Sequence, residues 1–157
     1  MITKIRASEY ELHTEQWLPR PLTEVFEFFS QAANLEAITP PWMQFHIVDP
    51  SVKMRQGIHI EYKLRIKGIP VRWVSEIPVW EPPHRFVDNQ VKGPYQRWYH
   101  THTFAEKDGG TLVTDHIAYT VPGGALINRW FVEPDVRKIF TYRREALTRR
   151  FGGASDG

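Results

Sequence analysis

Two histidines on one predicted strand are the residues of this chain with the clearest potential for chemistry. Side chains alternate between the two faces of a strand. In the segment 96–104, one face therefore carries Trp98, His100, His102 and Phe104. The aromatic residues at both ends indicate that this face points into a core or a cavity. Buried imidazoles need hydrogen-bond partners, so the pair is either a structural hydrogen-bonded feature or the reactive part of a pocket.

Polar residues on the two neighbouring strands are predicted to face the same space. Asp88 and Gln90 lie on the face of Phe86, and Asp115 lies on the face of Ile117. Turn signals at Gly93-Pro94 and Asp108-Gly109 make these strands antiparallel neighbours of the histidine strand. The proposed cavity then holds five polar residues together: Asp88, Gln90, His100, His102 and Asp115.

Three interpretations of this cluster remain open. It could be a buried hydrogen-bond network that fixes strand register, or it could hold the polar end of an apolar ligand. A carboxylate beside a histidine fixes the tautomer of the imidazole and raises its pKa, so a general acid or base is the third interpretation. The catalytic candidates are His100, His102 and Asp115, although the sequence contains no evident activated nucleophile.

A metal site at the histidines is disfavoured. The His-x-His pair with Glu106 four residues on is typical of two-His-one-carboxylate sites and approaches the first metal motif of the cupins. The spacing from Gly93 to His100 is one residue longer than that motif requires. No histidine follows Gly123, where a cupin would supply its last ligand. We therefore expect neither a metal nor another cofactor.

Composition is that of an ordinary globular protein with an unusually high aromatic content. Of the 157 residues, 13% are aromatic and six are Trp, which favours a lined cavity or a broad interface. The absence of Cys excludes disulfides and thiolate chemistry. The net charge of +2 is too small to indicate a nucleic-acid partner, and no apolar run is long enough for stable membrane insertion. We expect a cytoplasmic protein with one domain over residues 1–151 and a flexible tail over 152–157, and the oligomeric state is not predictable.

The order of predicted elements indicates an α+β protein. The patterns predict a strand over 8–18, a helix that begins at Pro21, and a second short helix over 34–38. Strands follow over 45–48, 58–66, 71–80, 85–92, 96–104 and 111–121, with a turn over 67–70. A last helix from about 134 to 151 has an apolar stripe, and its basic residues, Arg143 among them, are assigned to a solvated face. A curved sheet of about six to seven strands around this helix is expected.

This order and its motifs resemble the helix-grip proteins of the START and polyketide-cyclase-like (SRPBCC) superfamily. The similarity extends over nearly the whole chain and is closest to the bacterial ligand-binding branch of undefined function. The residues that carry it are 18–29, 34–35, 39–41, 80–90, 93–95, 98–104, Asp115, 119–123 and 139–143.

The resemblance implies a cavity between the sheet and the C-terminal helix for a small hydrophobic or amphiphilic molecule. The residues expected to contact the ligand are Phe26, Tyr62, Trp73, Asp88, Gln90, Trp98, His100, His102, Asp115, Ile117, Val136 and Phe140. One alternative is a cyclase, dehydratase or isomerase that uses His100 or His102 as acid or base. A second alternative is a protein-interaction module, because fold alone leaves function open.

Overall fold

The computed structural model describes residues 2–6 and 9–152, with the backbone only at Arg6. Eight strands form one antiparallel sheet in the order β1-β2-β8-β7-β6-β5-β4-β3. Each pair of neighbours in this order is antiparallel. The strands are β1 (Ile2–Arg6), β2 (Glu9–Leu18), β3 (His46–Ile47), β4 (His59–Ile66), β5 (Ile69–Glu81), β6 (Arg85–Lys92), β7 (Arg97–Lys107) and β8 (Gly110–Thr120).

Helical segments lie between the second and third strands and after the last strand. The early ones are α1 (Leu22–Phe29) and two 3₁₀ helices, Ala32–Ile38 and Pro41–Met43. The late ones follow one another without a break: α2 (Gly124–Ile127), a π-helical turn (Asn128–Val132) and α3 (Glu133–Phe151). No helix among the described residues is long and apolar enough to cross a membrane.

The predicted helix-grip fold is confirmed: a curved antiparallel sheet packs around a long C-terminal helix. Eight strands replace the expected six to seven. The first of them, β1, lies at the sheet edge, and of its described side chains only Ile2 is partly buried, so a pattern of alternating burial does not reveal it. The predicted tail lies outside the described residues except for Gly152.

The hairpin between β4 and β5 is tighter than its sequence indicated. The expected turn covered residues 67–70, whereas Lys67 and Gly68 alone connect the strands, with φ angles of 50° and 79°. Positive φ at both central residues is typical of the two-residue turns that match strand twist. Because Ile69 already pairs with Ile66, β5 extends to the very end of the hairpin.

The inner face of the sheet is covered by α1 and α3 over β2, β7 and β8 and by the 3₁₀ helices over β3 and β4. In one apolar cluster, Phe26 and Phe29 of α1 pack with Phe104 of β7 and Leu147 of α3. Towards the N-terminus of α3, Val136 packs in a second apolar cluster with residues of β2 and β8. The middle of α3 therefore passes directly over the centre of the sheet, where the two histidines lie.

Candidate functional site

The histidines of β7 point into the protein, as their spacing predicts. His100 and His102 are only 5% and 2% exposed. Their rings stack with centroids 3.7 Å apart, and the His102 ring stacks on Phe86 of β6 at 4.1 Å. The strand register causes this stack, because Phe86 lies directly opposite His102 in the ladder. The inner face of β7 thus presents two imidazoles in a column of rings.

Asp115 of β8 is the centre of the polar cluster. Its Oδ1 atom lies 2.7 Å from His100 Nε2 and 3.3 Å from His102 Nδ1. Asp115 is opposite His102 in the register of β7 and β8 and diagonal to His100, so a single carboxylate reaches both rings. The expected pairing of Asp115 with the histidines is therefore present in the structure.

Arg143 of α3 completes the cluster, and its role was missed in the sequence. Its Nη2 atom donates a hydrogen bond of 3.0 Å to Asp115 Oδ1, and its guanidinium lies over the rings of Phe29 and Phe140. Arg143 is 8% exposed, so this is a buried ion pair between helix and sheet. A signal was available, because positions 136, 140, 143 and 147 follow the spacing of one helix face.

The charge on Arg143 determines the protonation of the cluster. Burial alone would raise the pKa of Asp115, but the Arg143 guanidinium and hydrogen bonds from both imidazoles hold that pKa well below its usual value. Burial, reinforced by the neighbouring His100, lowers the pKa of His102 to about 3. At neutral pH Asp115 is therefore charged and His102 is neutral.

These charge states assign the hydrogens on both rings. An ionised carboxylate only accepts, so His100 Nε2 and His102 Nδ1 each carry the hydrogen that faces Asp115. Arg143 Nη2 also lies 3.4 Å from His102 Nδ1, but two donors cannot bond to each other, and this is a packing contact. His102 Nε2 is left without a hydrogen-bond partner among the described residues.

The cluster does not suit a metal ion, although its nitrogen and oxygen atoms lie about as close together as the ligands of a metal site. Potential ligand atoms of His100, His102 and Asp115 lie within 4.8 Å of one another. The Arg143 guanidinium already brings a positive charge to the shared carboxylate oxygen, and a second cation there would be repelled. Glu106 is exposed near the end of β7 and is not part of this group.

A cavity of about 150 Å³ lies between the sheet and α3. Six of its lining residues are aromatic, and its polar groups include Asp88, His100 and Arg143. The short 3₁₀ helices and the segment after them close one side, while α3 closes the other. The lining residues are Leu35, Ile38, Thr39, Met43, Phe45, Tyr62, Leu64, Ile66, Trp73, Asp88, Tyr95, Trp98, His100, Asp135, Val136, Ile139, Phe140 and Arg143.

Of the twelve residues predicted to contact a ligand, seven line this cavity. They are Tyr62, Trp73, Asp88, Trp98, His100, Val136 and Phe140.

The other five predicted contact residues lie elsewhere, each for a local reason. Phe26 packs in the aromatic core, and Ile117 is fully buried. The Gln90 amide bonds to the backbone of Tyr95 and holds the turn between β6 and β7. His102 is covered by neighbouring rings, and Asp115 lies behind His100.

Several lining residues were not anticipated because they lie outside the sheet. Leu35, Met43 and Phe45 come from the 3₁₀ helices and the segment after them. Their positions depend on how that segment folds over the sheet edge, which no local pattern specifies.

Of the two carboxyl groups that line the cavity, Asp135 forms an ion pair with Lys67, whereas Asp88 forms none with the described residues. Among the described residues no basic side chain forms an ion pair with Asp88, and its Oδ1 atom has no hydrogen-bond partner. Burial raises the pKa of Asp88, although a hydrogen bond from Ser75 and the charges of His100 and Arg143 oppose that shift. Asp88 lies deep in the protein but retains some accessible surface, because it borders the cavity.

A second, larger cleft of about 590 Å³ lies on the other side of α3, against β2. Its lining is mainly polar and includes Asp115 and Arg143. Arg143 and Phe140 border both spaces, so they form the wall between the apolar cavity and the polar cleft. Arg137, Arg144 and Glu145 also line this cleft, and its mixed charges do not select one ligand class.

Comparison with known proteins places the chain among proteins of the same architecture. The family model described as "Polyketide cyclase / dehydrase and lipid transport" matches residues 18–148. None of the curated proteins matches the sequence significantly.

Many solved structures share the fold at low sequence identity. Protein CV1439 from Chromobacterium violaceum has a TM-score of 0.71 and 11% identity, with 92% of this chain and 99% of that chain covered. The major latex-like protein 151 of Panax ginseng has a TM-score of 0.67 and 14% identity, with 92% and 98% covered. Protein Ms6760 from Mycobacterium smegmatis has a TM-score of 0.65 and 19% identity, with 96% and 97% covered.

The neutral state of His102 predicts that stability falls as the pH is lowered. The pKa of His102 is about 3 in the folded protein, whereas an imidazole in an unfolded chain has a pKa of 6.5. Between pH 6.5 and pH 3 the unfolded chain therefore binds more protons than the folded protein. Protonation of His102 then lowers the free energy of unfolding, by about 3 kcal/mol at pH 4. Urea unfolding between pH 7 and pH 4 should show a smaller decrease for His102→Phe than for the unchanged protein.

The control for this measurement is His59→Phe, at an exposed histidine of β4. That variant should keep the pH dependence of the unchanged protein. An equal slope in the His102→Phe variant would contradict a buried neutral imidazole.

Removal of the Arg143 guanidinium should lower the free energy of unfolding strongly. Arg143→Met leaves the buried Asp115 carboxylate without its charge partner, which costs about 3–5 kcal/mol. The matched variant Arg137→Met breaks the exposed pair with Glu133 at 3.2 Å and should cost less than about 1 kcal/mol. Urea denaturation followed by Trp fluorescence measures both, and equal losses would show that Arg143 does not compensate Asp115.

Proposed function

Since the chain belongs to the family of polyketide cyclase/dehydrase and lipid-transport proteins, we propose that it binds a small, mostly apolar molecule in the cavity between the sheet and α3. This membership confirms the resemblance to the SRPBCC superfamily that the motifs predicted. The polar end of the ligand would contact Asp88, His100 and Arg143, and its apolar part would contact the aromatic lining.

The observation that carries the proposal is an aromatic-lined cavity with a few polar groups at one wall. Binding sites for small molecules combine such an apolar lining with a small number of placed polar groups. Tyr62, Trp73 and Trp98 supply large apolar surfaces, whereas the polar groups come from neighbouring strands and from α3. An empty cavity lowers the stability of a fold, because the side chains that line it lack the contacts that a filled core provides.

The volume of the cavity limits the ligand. A space of about 150 Å³ is similar to the engineered apolar cavity that binds benzene, and it is smaller than the range of roughly 300–1,000 Å³ typical of drug-sized ligands. A ligand that fits without rearrangement therefore has one ring or a short chain. Longer molecules would have to extend through the mouth of the cavity.

Filling the cavity should abolish binding without unfolding the protein. Ile139 of α3 lines the cavity and is partly buried, so Ile139→Trp places an indole in the space. Titration calorimetry with benzyl alcohol should give at least a tenfold weaker affinity for this variant than for the unchanged protein.

The neighbouring residue provides the matched control. Lys138 lies next to Ile139 but is exposed on the outer face of α3 and does not line the cavity, so Lys138→Trp should bind benzyl alcohol as the unchanged protein does. Equal binding by all three proteins would place the ligand outside this cavity and contradict the proposal.

A second candidate function is acid–base catalysis by His100. His100 lines the cavity, and its Nε2 atom lies 2.7 Å from Asp115 Oδ1, which is the arrangement that orients a catalytic imidazole. With the Nε2 hydrogen donated to Asp115, Nδ1 is the nitrogen left for proton transfer. His102 does not border the cavity, and its pKa of about 3 makes it a poor base at neutral pH.

Proton exchange at a one-ring ketone tests this second candidate without knowledge of the natural substrate. In D₂O, a general base would accelerate replacement of the hydrogens next to the carbonyl of acetophenone, which NMR detects. Exchange should fall to background in His100→Gln and remain in His59→Gln, a variant of an exposed histidine. Background exchange with the unchanged protein would contradict base catalysis on such ketones.

A further inference from the structure

The unpaired carboxyl of Asp88 lies beside a group of aromatic rings on the cavity wall. Trp73 and Trp98 meet nearly at right angles, with centroids 5.6 Å apart, and Tyr95 lies 4.7 Å from Trp98. Trp73 Nε1 donates a hydrogen bond of 3.0 Å to Ser75 Oγ, and the Ser75 side chain in turn bonds to Asp88. These three rings and the carboxyl all line the cavity and are joined through Ser75 into one wall.

Aromatic faces arranged around a space bind organic cations. The negative face of each ring attracts a positive charge, and cages of Trp and Tyr recognise ammonium groups in this way. A carboxylate at the same wall adds direct charge pairing. Neutral ligands gain from the apolar surface as well and can donate a hydrogen bond to Asp88, but they cannot form a charge pair with it.

The charges around the cavity leave a single negative charge to be matched. Arg143 is paired with Asp115 at 3.0 Å, and Asp135 lies 3.6 Å from Lys67. Each of these pairs sums to zero. With Asp88 ionised and His100 neutral, the described lining residues therefore carry one uncompensated negative charge, which a monovalent cation balances without leaving any buried charge unpaired.

We propose that the cavity binds a small organic ammonium ion, one ring or a short chain in size, whose charged group pairs with Asp88 while its apolar part packs against Trp73, Tyr95 and Trp98. This inference rests on the proposed function, because it concerns the same cavity. It adds the charge of the ligand and the residue that recognises this charge.

Three ligands of one size provide the test: benzylammonium, benzyl alcohol and benzoate, titrated at pH 7 by calorimetry. Benzylammonium should bind at least about 30-fold more tightly than benzyl alcohol, since loss of one partner of a buried charge pair has about this effect or more. Benzoate should bind most weakly. Tighter binding of benzyl alcohol or benzoate would overturn the inference.

Two variants identify the carboxyl that provides the selectivity. Asp88→Asn keeps the shape of the side chain and should remove the preference for benzylammonium, while benzyl alcohol still binds and shows that the cavity is intact. Glu106→Gln removes a carboxylate that is exposed at the end of β7 and does not line the cavity, and it should change the preference less than about threefold. Selectivity that persists in Asp88→Asn would overturn the assignment.

The pH dependence of binding gives a readout that a purely structural role would not produce. The groups that face Asp88 are Ser75 of β5, Tyr62 of β4, His100 of β7 and Arg143 of α3. Because burial raises the pKa of Asp88, the ammonium ion must displace a proton from the carboxyl at low pH. Its affinity should therefore increase from pH 4 to pH 7, and an affinity that stays constant would contradict pairing with Asp88.

The outcomes separate this inference from the proposed function. If benzyl alcohol binds in the cavity and benzylammonium shows no preference, the cavity binds ligands and the inference alone fails. If none of the three ligands binds, the proposed function fails for molecules of this size, and the inference fails with it.

Discussion

The ion pair between Asp115 and Arg143 joins the C-terminal helix to the centre of the sheet. Its two charges come from β8 and α3, 28 positions apart in the sequence, and both are almost completely buried. Such a pair is costly to desolvate, and the cost is offset only when further hydrogen bonds satisfy the charges. His100 and His102 supply these bonds to Asp115, while the rings of Phe29 and Phe140 contact the guanidinium. Together with the apolar contacts of Val136 and Leu147, this ion pair fixes α3 over the sheet.

The cavity lies next to this ion pair. Arg143 joins α3 to Asp115 of β8, whereas residues of β4, β5, β6 and β7 line the space under α3. Large rings such as Trp73 and Trp98 cover the wall of this space without filling it. Arg143 therefore takes part in the ion pair and also borders the cavity beside it.

The sequence was most informative where alternation along a strand decides the orientation of a side chain. The period of two placed His100, His102 and Asp115 on inner faces, and the short turns made their strands neighbours. The same alternation could not say how far along a strand the cavity extends. Gln90 shows this limit, because it faces inward but lies at the turn, where its amide binds the backbone of Tyr95.

Arg143 was assigned to the wrong face because arginine is usually exposed. The many charged residues of α3 favoured an exposed face for Arg143, although helical spacing places it on the apolar face with positions 136, 140 and 147. The lining from residues 35–45 was also missed, for another reason: 3₁₀ helices and connecting segments take their place from contacts with the rest of the fold, and they carry no period of their own. Buried charge and irregular segments are thus the parts of this site that local patterns describe least.

The ion-pair cluster and the cavity have only His100 and Arg143 in common. Most of the lining can consequently change during evolution without disturbing the contact that positions the helix. Residues such as Leu35, Met43 and Ile139 are free to drift towards other shapes and polarities while the scaffold is retained. This separation marks the lining as the part of the protein most open to redesign.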